Sequence, residues 1–226
     1  MDRHNGGVSE AQPVNQRRDY VDWHHWYDDP TSGMSWRLQV VRGYLVGALD
    51  RQPGPLTALS LCAGDGRDLL GVLAERSDAE RVRAVLVELH PQLAEAARVG
   101  AASAGLADRV EVRTADASTP STWADVVPAD LVLLVGIFGN ISDADLWRTL
   151  DAAPALCAPG ATLLWSRGRD RTDLNPRIRT RLTAAGFTEL SYDELDRGSH
   201  PSVGALRYDG PPQPLPDVDS LFTFIR

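Results

Sequence analysis

Cysteine is scarce in this chain: among 226 residues only Cys62 and Cys157 occur, far apart and each in an apolar context. That usage excludes a cysteine-based zinc site, points to inert buried thiols and suits a reducing compartment. Positive charge is in short supply too. The 23 Lys and Arg stand against 31 Asp and Glu, giving a net charge of −8 and a pI near 5.1. A basic surface for a nucleic-acid backbone is therefore not encoded, and the expected partner is a small molecule. Long apolar runs are missing as well. None reaches the ~18 residues of a membrane-spanning helix, and the polar start Met1-Asp2-Arg3-His4-Asn5 has no signal-peptide core. A cytoplasmic protein with no membrane partner is expected, and no internal repeat is visible.

What is present suits one α/β domain with a modest extension: the length and the 43% hydrophobic content allow a sizeable core. Residues 1–17 are polar, carry Gly6-Gly7 and read as a mobile tail. Residues 18–52 read as an N-terminal helical cap. Tyr20, Trp23, Trp26, Tyr27 and Trp36 crowd into it, and Trp36, Val40, Val41 and Tyr44 recur at helical spacing before Pro53-Gly54-Pro55 stops the helix. From residue 53 to 226 strands and helices alternate, the pattern of a mostly parallel sheet covered on both faces. Strands are expected at 57–62, 83–88, 110–113, 131–136, 161–166 and 187–192, and a last one at Leu221 to Ile225. Helices are expected at 68–75, 91–103, 143–156 and 176–185, with Pro91 at N1 of the second and Ser142 as N-cap of the third. Ala158-Pro159-Gly160 closes that third helix and turns the chain into the fifth strand.

The organising stretch is Leu59-Ser60-Leu61-Cys62-Ala63-Gly64-Asp65-Gly66, an apolar run that climbs into a glycine turn and feeds a helix. In open α/β sheets ligands sit at such turns. Gly64 and Gly66 allow a tight turn and let a ligand approach without meeting a Cβ. Glu88, at the end of the second strand, follows Gly66 by 88 − 66 = 22 residues, about the ~20 expected of a carboxylate that binds ribose hydroxyls. A dinucleotide site wants a small residue three positions after Gly66; Leu69 stands there, which disfavours a pyrophosphate. Asp116, after the third strand, either accepts from an adenine amino group or is a loop aspartate.

In this order and spacing the motifs resemble the class I S-adenosylmethionine-dependent methyltransferases, in register from about Leu56 to Ile225. The resemblance implies a Rossmann-like three-layer sandwich around a seven-stranded, mostly parallel sheet in the order 3-2-1-4-5-7-6, the last strand antiparallel. It also implies S-adenosylmethionine as cofactor, S-adenosylhomocysteine as product and a small-molecule acceptor methylated in line, by preference on oxygen. Carried over residue by residue, the cofactor would be held by Cys62, Ala63, Gly64, Asp65, Gly66, Glu88, Leu89, Asp116, Ala117, Gly136 and Ile137. Ser60 departs from the pattern, standing where the superfamily usually has an acidic residue. The Tyr27-Asp28-Asp29-Pro30 segment is also similar to that of small actinobacterial-type members. No Asn/Asp-Pro-Pro-Tyr/Phe tetrapeptide follows the fourth strand, so the resemblance does not point to nucleic-acid bases.

For the acceptor, Tyr20, Trp23, Tyr27, Phe138, Asn140 and Arg167 are the candidate contacts. Transfer from a sulfonium needs positioning and exclusion of water more than it needs catalytic groups. For a hydroxyl acceptor a base helps, and His24, His25 and Asn140 are the residues placed for a catalytic role. His24, His25, Asp28 and Asp29 share helical spacing but read as a solvated face, so no metal is expected. Two alternatives stay open: a non-catalytic module binding the same cofactor, and an aminopropyl-transfer enzyme of the spermidine-synthase type.

Overall fold

The computed structural model of the chain describes residues 27–170 and 172–225. The expected tail over 1–17, and Tyr20, Trp23, His24, His25, Trp26 and Arg171, lie outside the described residues. Seven strands form one sheet: β1 (Leu56–Leu61), β2 (Val82–Glu88), β3 (Val110–Thr114), β4 (Ala129–Leu134), β5 (Cys157–Gly168), β6 (Phe187–Glu194) and β7 (Pro201–Tyr208). Their order is β3-β2-β1-β4-β5-β7-β6. The pairs among β3, β2, β1, β4 and β5 are parallel, and β7 runs antiparallel to both β5 and β6. This is the fold that the motif order implies.

Side-chain alternation along the strands builds two cores. Leu59, Leu61, Val132, Leu134, Leu163 and Trp165 face one layer, with helices α4 (Asp143–Leu156) and α5 (Asn175–Ala184). Ala58, Ala84, Leu86, Leu131, Leu133 and Leu164 face the other, with α1 (Gly33–Arg51), α2 (Leu69–Ala74) and α3 (Pro91–Ser103). The long helix α1 packs on β5, β7 and α2 through Val41, Leu45, Ala48 and Leu49, so it forms part of a layer of the sandwich. Its start is set by Ser32, whose Oγ accepts from Ser35 N–H at 3.0 Å. Ser142 caps α4 in the same way, accepting from Asp145 N–H at 3.1 Å, and Pro91 opens α3.

Two expectations are corrected. The last strand is Pro201–Tyr208, not Leu221 to Ile225. The segment 201–208 is buried along almost its whole length, but Gly204 breaks its apolar pattern and the nearby prolines give it the look of a loop. Leu221 and Phe222 are buried as the apolar run demands, yet the backbone there pairs with loops: Leu221 N–H donates to Ser118 O, Ile225 N–H donates to Asn140 O, and Phe224 forms a lone antiparallel bridge with Ile141. Burial and strand pairing are separate properties, and an apolar run reports only the first. The second correction is smaller. α4 does end at Leu156, but β5 begins at once at Cys157, and 158–160 lies within its irregular start, where the pairing jumps from Ala129–Cys157 to Leu131–Thr162.

Candidate functional site

The order reverses between β1 and β4, so the loops leaving these strands diverge and open a crevice at their carboxyl ends. A cavity of about 560 Å³ lies there, within the range of small-ligand sites. Its floor is the β1–α2 turn. Cys62 takes φ 55° and Gly64 φ 60°, left-handed conformations that reverse the chain sharply. Gly66, at φ 71°, is needed for a different reason from the one expected: it is buried, and a Cβ there would come within 2.6 Å of Leu86 and 2.8 Å of Leu70. It is small to let α2 pack on the sheet, and it does not line the cavity. Ile137 likewise is fully buried in the core.

Glu88 ties the turn to β2. Its Oε2 accepts from Gly64 N–H and its Oε1 from His90 N–H, each at 2.8 Å, so both oxygens are fixed by backbone while keeping lone pairs for a ligand. Asp116 Oδ1 accepts from Ser118 N–H at 2.9 Å. Leu89 and Ala117 complete this part of the wall. Leu89 is 63% exposed, apolar surface that a ligand would cover, and His90 Nδ1 is buried without a hydrogen-bond partner among the described residues.

The opposite end is charged. Asp65 chelates Arg67, whose Nε donates to Asp65 Oδ2 at 2.8 Å, and the Arg67 guanidinium lies 4.4 Å from the centre of the Tyr27 ring. Arg37, from α1, donates to Tyr27 Oη at 2.5 Å. Asp68 caps α2 by accepting from Leu69 N–H at 2.7 Å. Desolvation pushes the Asp68 carboxyl above its ordinary value; Leu69 N–H and Arg37 oppose the shift and Asp65 adds to it. Desolvation also raises the Cys62 thiol well up, with the Glu88 and Asp116 charges adding, so the thiol stays protonated and inert at the cavity wall.

The Asp68 shift predicts a pH-dependent stability. A carboxyl whose folded pKa is raised binds its proton more tightly when folded, so its ionisation destabilises the fold above that pKa and the cost disappears as pH falls through it. Asp68→Asn keeps the capping oxygen and removes the charge. It should melt higher than the parent near pH 7, with the gap closing toward about pH 4, the ordinary carboxylate range. Thermal unfolding at the two pH values checks this; a gap that is absent or independent of pH contradicts it.

Gly136 and Arg37 also border a second, more polar cavity of about 390 Å³. Asn140, Ser166, Arg167, Gly168 and the first turn of α1 line it. Ser166 Oγ accepts from Gly136 N–H at 2.9 Å, joining the β4 exit to β5. Asn140 is 7% exposed and its amide donates to Gly136 O at 2.7 Å, so it braces the turn. Phe138 is buried against Trp165 and lines neither cavity. Sequence reasoning had missed Arg37, Arg67, Asp68, His90 and Phe224 as wall residues of the first cavity. Asp68 and His90 adjoin motifs and carried a positional signal. Arg37 and Phe224 reach the cavity only through tertiary packing.

No protein-family model matches the chain, and no curated protein sequence does. Solved structures of like fold are found. An O-methyltransferase family protein from Burkholderia thailandensis superposes with a TM-score of 0.61 at 19% identity over 85% of this chain. This chain spans 61% of that protein's length. Magnesium protoporphyrin IX methyltransferase from Synechocystis, solved with bound SAM, gives a TM-score of 0.64 at 13% identity, covering 84% of this chain and 91% of the other. The [4+2]-cyclase SpnF gives 0.55 at 14% identity over 74% and 81%. These likenesses establish the fold.

Proposed function

We propose that the chain is an S-adenosylmethionine-dependent methyltransferase with a small-molecule acceptor, oxygen being the atom methylated. The observation that carries this reading is the first cavity: a Glu88 carboxylate anchored at the end of β2, Asp116 in the same lining, and Gly136 and Arg37 shared with a second cavity. Asp65, Asp68, Glu88 and Asp116 outnumber Arg37 and Arg67 around the first, which suits a ligand carrying sulfonium and ammonium charges. A dinucleotide fits poorly. The N-terminus of α2, where a pyrophosphate would rest, is already capped by the Asp68 carboxylate, and Leu69 is fully buried beneath it. The names of the O-methyltransferase family protein and the SAM-bound methyltransferase among the like folds support the same reading. SpnF shows that fold alone does not fix the chemistry.

When bound, the cofactor supplies an activated methyl group. Glu88 and Asp116 would hold the nucleoside end, with Gly64 and Asp65 in the turn, and Leu89 and Ala117 would exclude water around it. Ser60 is 3% exposed and lines neither cavity, so we assign the amino-acid end to Asp68, Arg37 and the β1–α2 turn. The second cavity would orient the acceptor, with Thr31, Ser32 and the first turn of α1 in its wall, while Tyr27 lines the first cavity. Orientation alone supplies much of the rate in such a transfer. Asn140 holds the Gly136 carbonyl in place through its amide, and His24 or His25 is the proposed base. The open second cavity favours catalysis over a purely binding module, and the mixed charge lining it, Asp29 and Asp170 with Arg37, Arg167 and Arg197, does not favour a polyamine. Free Cys62 and Cys157, and the lack of any membrane-crossing helix among the described residues, accord with a cytoplasmic site of action.

Calorimetry with S-adenosylmethionine, S-adenosylhomocysteine and NAD tests the assignment. The first two should bind, and Asp116→Ala should weaken both about 10-fold, the worth of one hydrogen bond to a charged group. Binding of NAD with neither sulfur ligand bound would sink the reading. Transfer of an isotopically labelled methyl group to a panel of acceptors then tests turnover.

A further inference from the structure

We propose that the acceptor bears a carboxylate, anchored in the second cavity by Arg167 with Arg197 at the rim. This deepens the reading above and takes from it the cavity's role; the anion site itself stands on the residues that form the cavity. Arg167 ends β5. Its Nη1 donates to Gly168 O at 3.0 Å and to Thr172 O at 2.9 Å, which fixes the guanidinium against the loop. Its Nε is buried without a partner, and its Nη2 makes no hydrogen bond among the described residues. None of them places a carboxylate within ion-pair distance of it. Arg169, two residues on, also keeps an unbonded Nε, but it differs in charge pairing, with Asp196 at 2.5 Å and Glu194 at 3.6 Å. A half-buried cation with a donor left over is the arrangement that a ligand oxyanion completes.

The rest of the cavity agrees. The chain contains no lysine, so anion recognition falls to arginine, and three guanidiniums, of Arg37, Arg167 and Arg197, line this wall against two carboxylates, Asp29 and Asp170. Asp29 Oδ1 is already engaged, accepting from Thr31 N–H and Oγ1 at 2.8 Å each. The first turn of α1 also borders the cavity and carries no acidic residue, so its field adds to the positive side. A volume near 390 Å³ is at the small end of ligand sites, ~300–1,000 Å³. A monoanion is favoured over a phosphate dianion because Asp29 and Asp170 share the wall and because the Asp143, Asp173 and Asp170 charges already act on Arg167.

Sodium benzoate and benzamide share a shape and differ in charge, and they are titrated against protein saturated with S-adenosylhomocysteine, with inorganic phosphate as a third probe. Benzoate should bind about 10-fold or more tighter than benzamide, in line with a charge-assisted bond, and tighter than phosphate. Arg167→Gln should lose about 10-fold in benzoate affinity, Arg167→Lys should recover part of it, and Arg197→Gln should lose about 3-fold, as a rim charge does. All three variants should keep the parent's S-adenosylhomocysteine affinity. Equal binding of benzoate and benzamide, a preference for phosphate, or no binding of benzoate at millimolar concentration overturns the proposal and leaves the methyltransferase reading standing. If S-adenosylhomocysteine fails to bind the parent, that reading falls, and the same titration of the protein alone decides the anion site. If Arg167→Gln also loses S-adenosylhomocysteine, its role is structural, and Arg197→Gln decides, an unchanged benzoate affinity there counting against the proposal.

Discussion

Glu88→Ala is expected to weaken S-adenosylhomocysteine binding by about 100-fold or more, the largest effect of any single change in the first cavity. Three losses coincide. The carboxylate proposed to receive the ribose hydroxyls disappears, and two backbone donors, Gly64 N–H and His90 N–H, lose acceptors that now lie at 2.8 Å. Hydrogen bonds to a charged group contribute about 1.5–3 kcal/mol each, and because both backbone donors are part-buried, water recovers some of their share but none of the ligand's. Part of the effect should appear as lower stability without ligand, because Glu88 is the brace between β2 and the glycine turn. Glu88→Gln, which keeps one carbonyl oxygen but opposes the other backbone N–H with an amide donor, should fall between parent and alanine variant. Calorimetry and thermal unfolding separate the two contributions. An alanine variant within 3-fold of the parent's affinity would remove Glu88 from the ligand site.

Trp165→Ala should be the most damaging core substitution, costing about 3–5 kcal/mol. Trp165 is fully buried and sits 6.0 Å, ring centre to ring centre, from both Phe138 and Tyr192. Its indole nitrogen has no hydrogen-bond partner among the described residues, so its worth is packing. The opposing residue across the β5–β7 pair is Gly204, and a Cβ there would meet Trp165 Cε2 at 2.6 Å and Cζ2 at 2.9 Å. The indole therefore covers the glycine, and the two positions should couple: Gly204→Ala should cost about 1–3 kcal/mol in the parent through overpacking and much less beside Trp165→Leu. Chemical denaturation of the four-member cycle measures the coupling. Additive effects would show that the indole and the glycine do not depend on each other.

The same pair shows where sequence reading stopped. Phe187 to Tyr192 announces β6 by its residues alone, whereas Gly204 weakens the pattern of β7, because the residue that makes glycine necessary lies across the sheet, 39 positions earlier (204 − 165). The opposite error arose at Leu221–Phe222, where apolar residues are buried as expected but their backbone hydrogen bonds go to Ser118 and the Asn140 loop. Within the site, the β1–α2 turn, Glu88 and Asp116 were legible because each lies at or just past a strand's end at a spacing that parallel β–α units impose. Gly66 was legible as a glycine but not in its purpose, since its contacts with Leu86 and Leu70 depend on how α2 seats on β2.

By itself, then, the sequence determined the alternation of strands and helices, the parallel sheet and the glycine turn with its paired acids, because these follow from local periodicity and short spacings. Tertiary structure alone decided which apolar segment joins the sheet beside β5 and which merely covers its end. It also brought Arg37 from α1 and Phe224 from the C-terminal segment to the first cavity, and set Arg167 without a carboxylate partner among the described residues while Arg169 is paired. These outcomes rest on contacts between residues distant in the chain, and no local pattern specifies which distant side chain will fill a given space or neutralise a given charge.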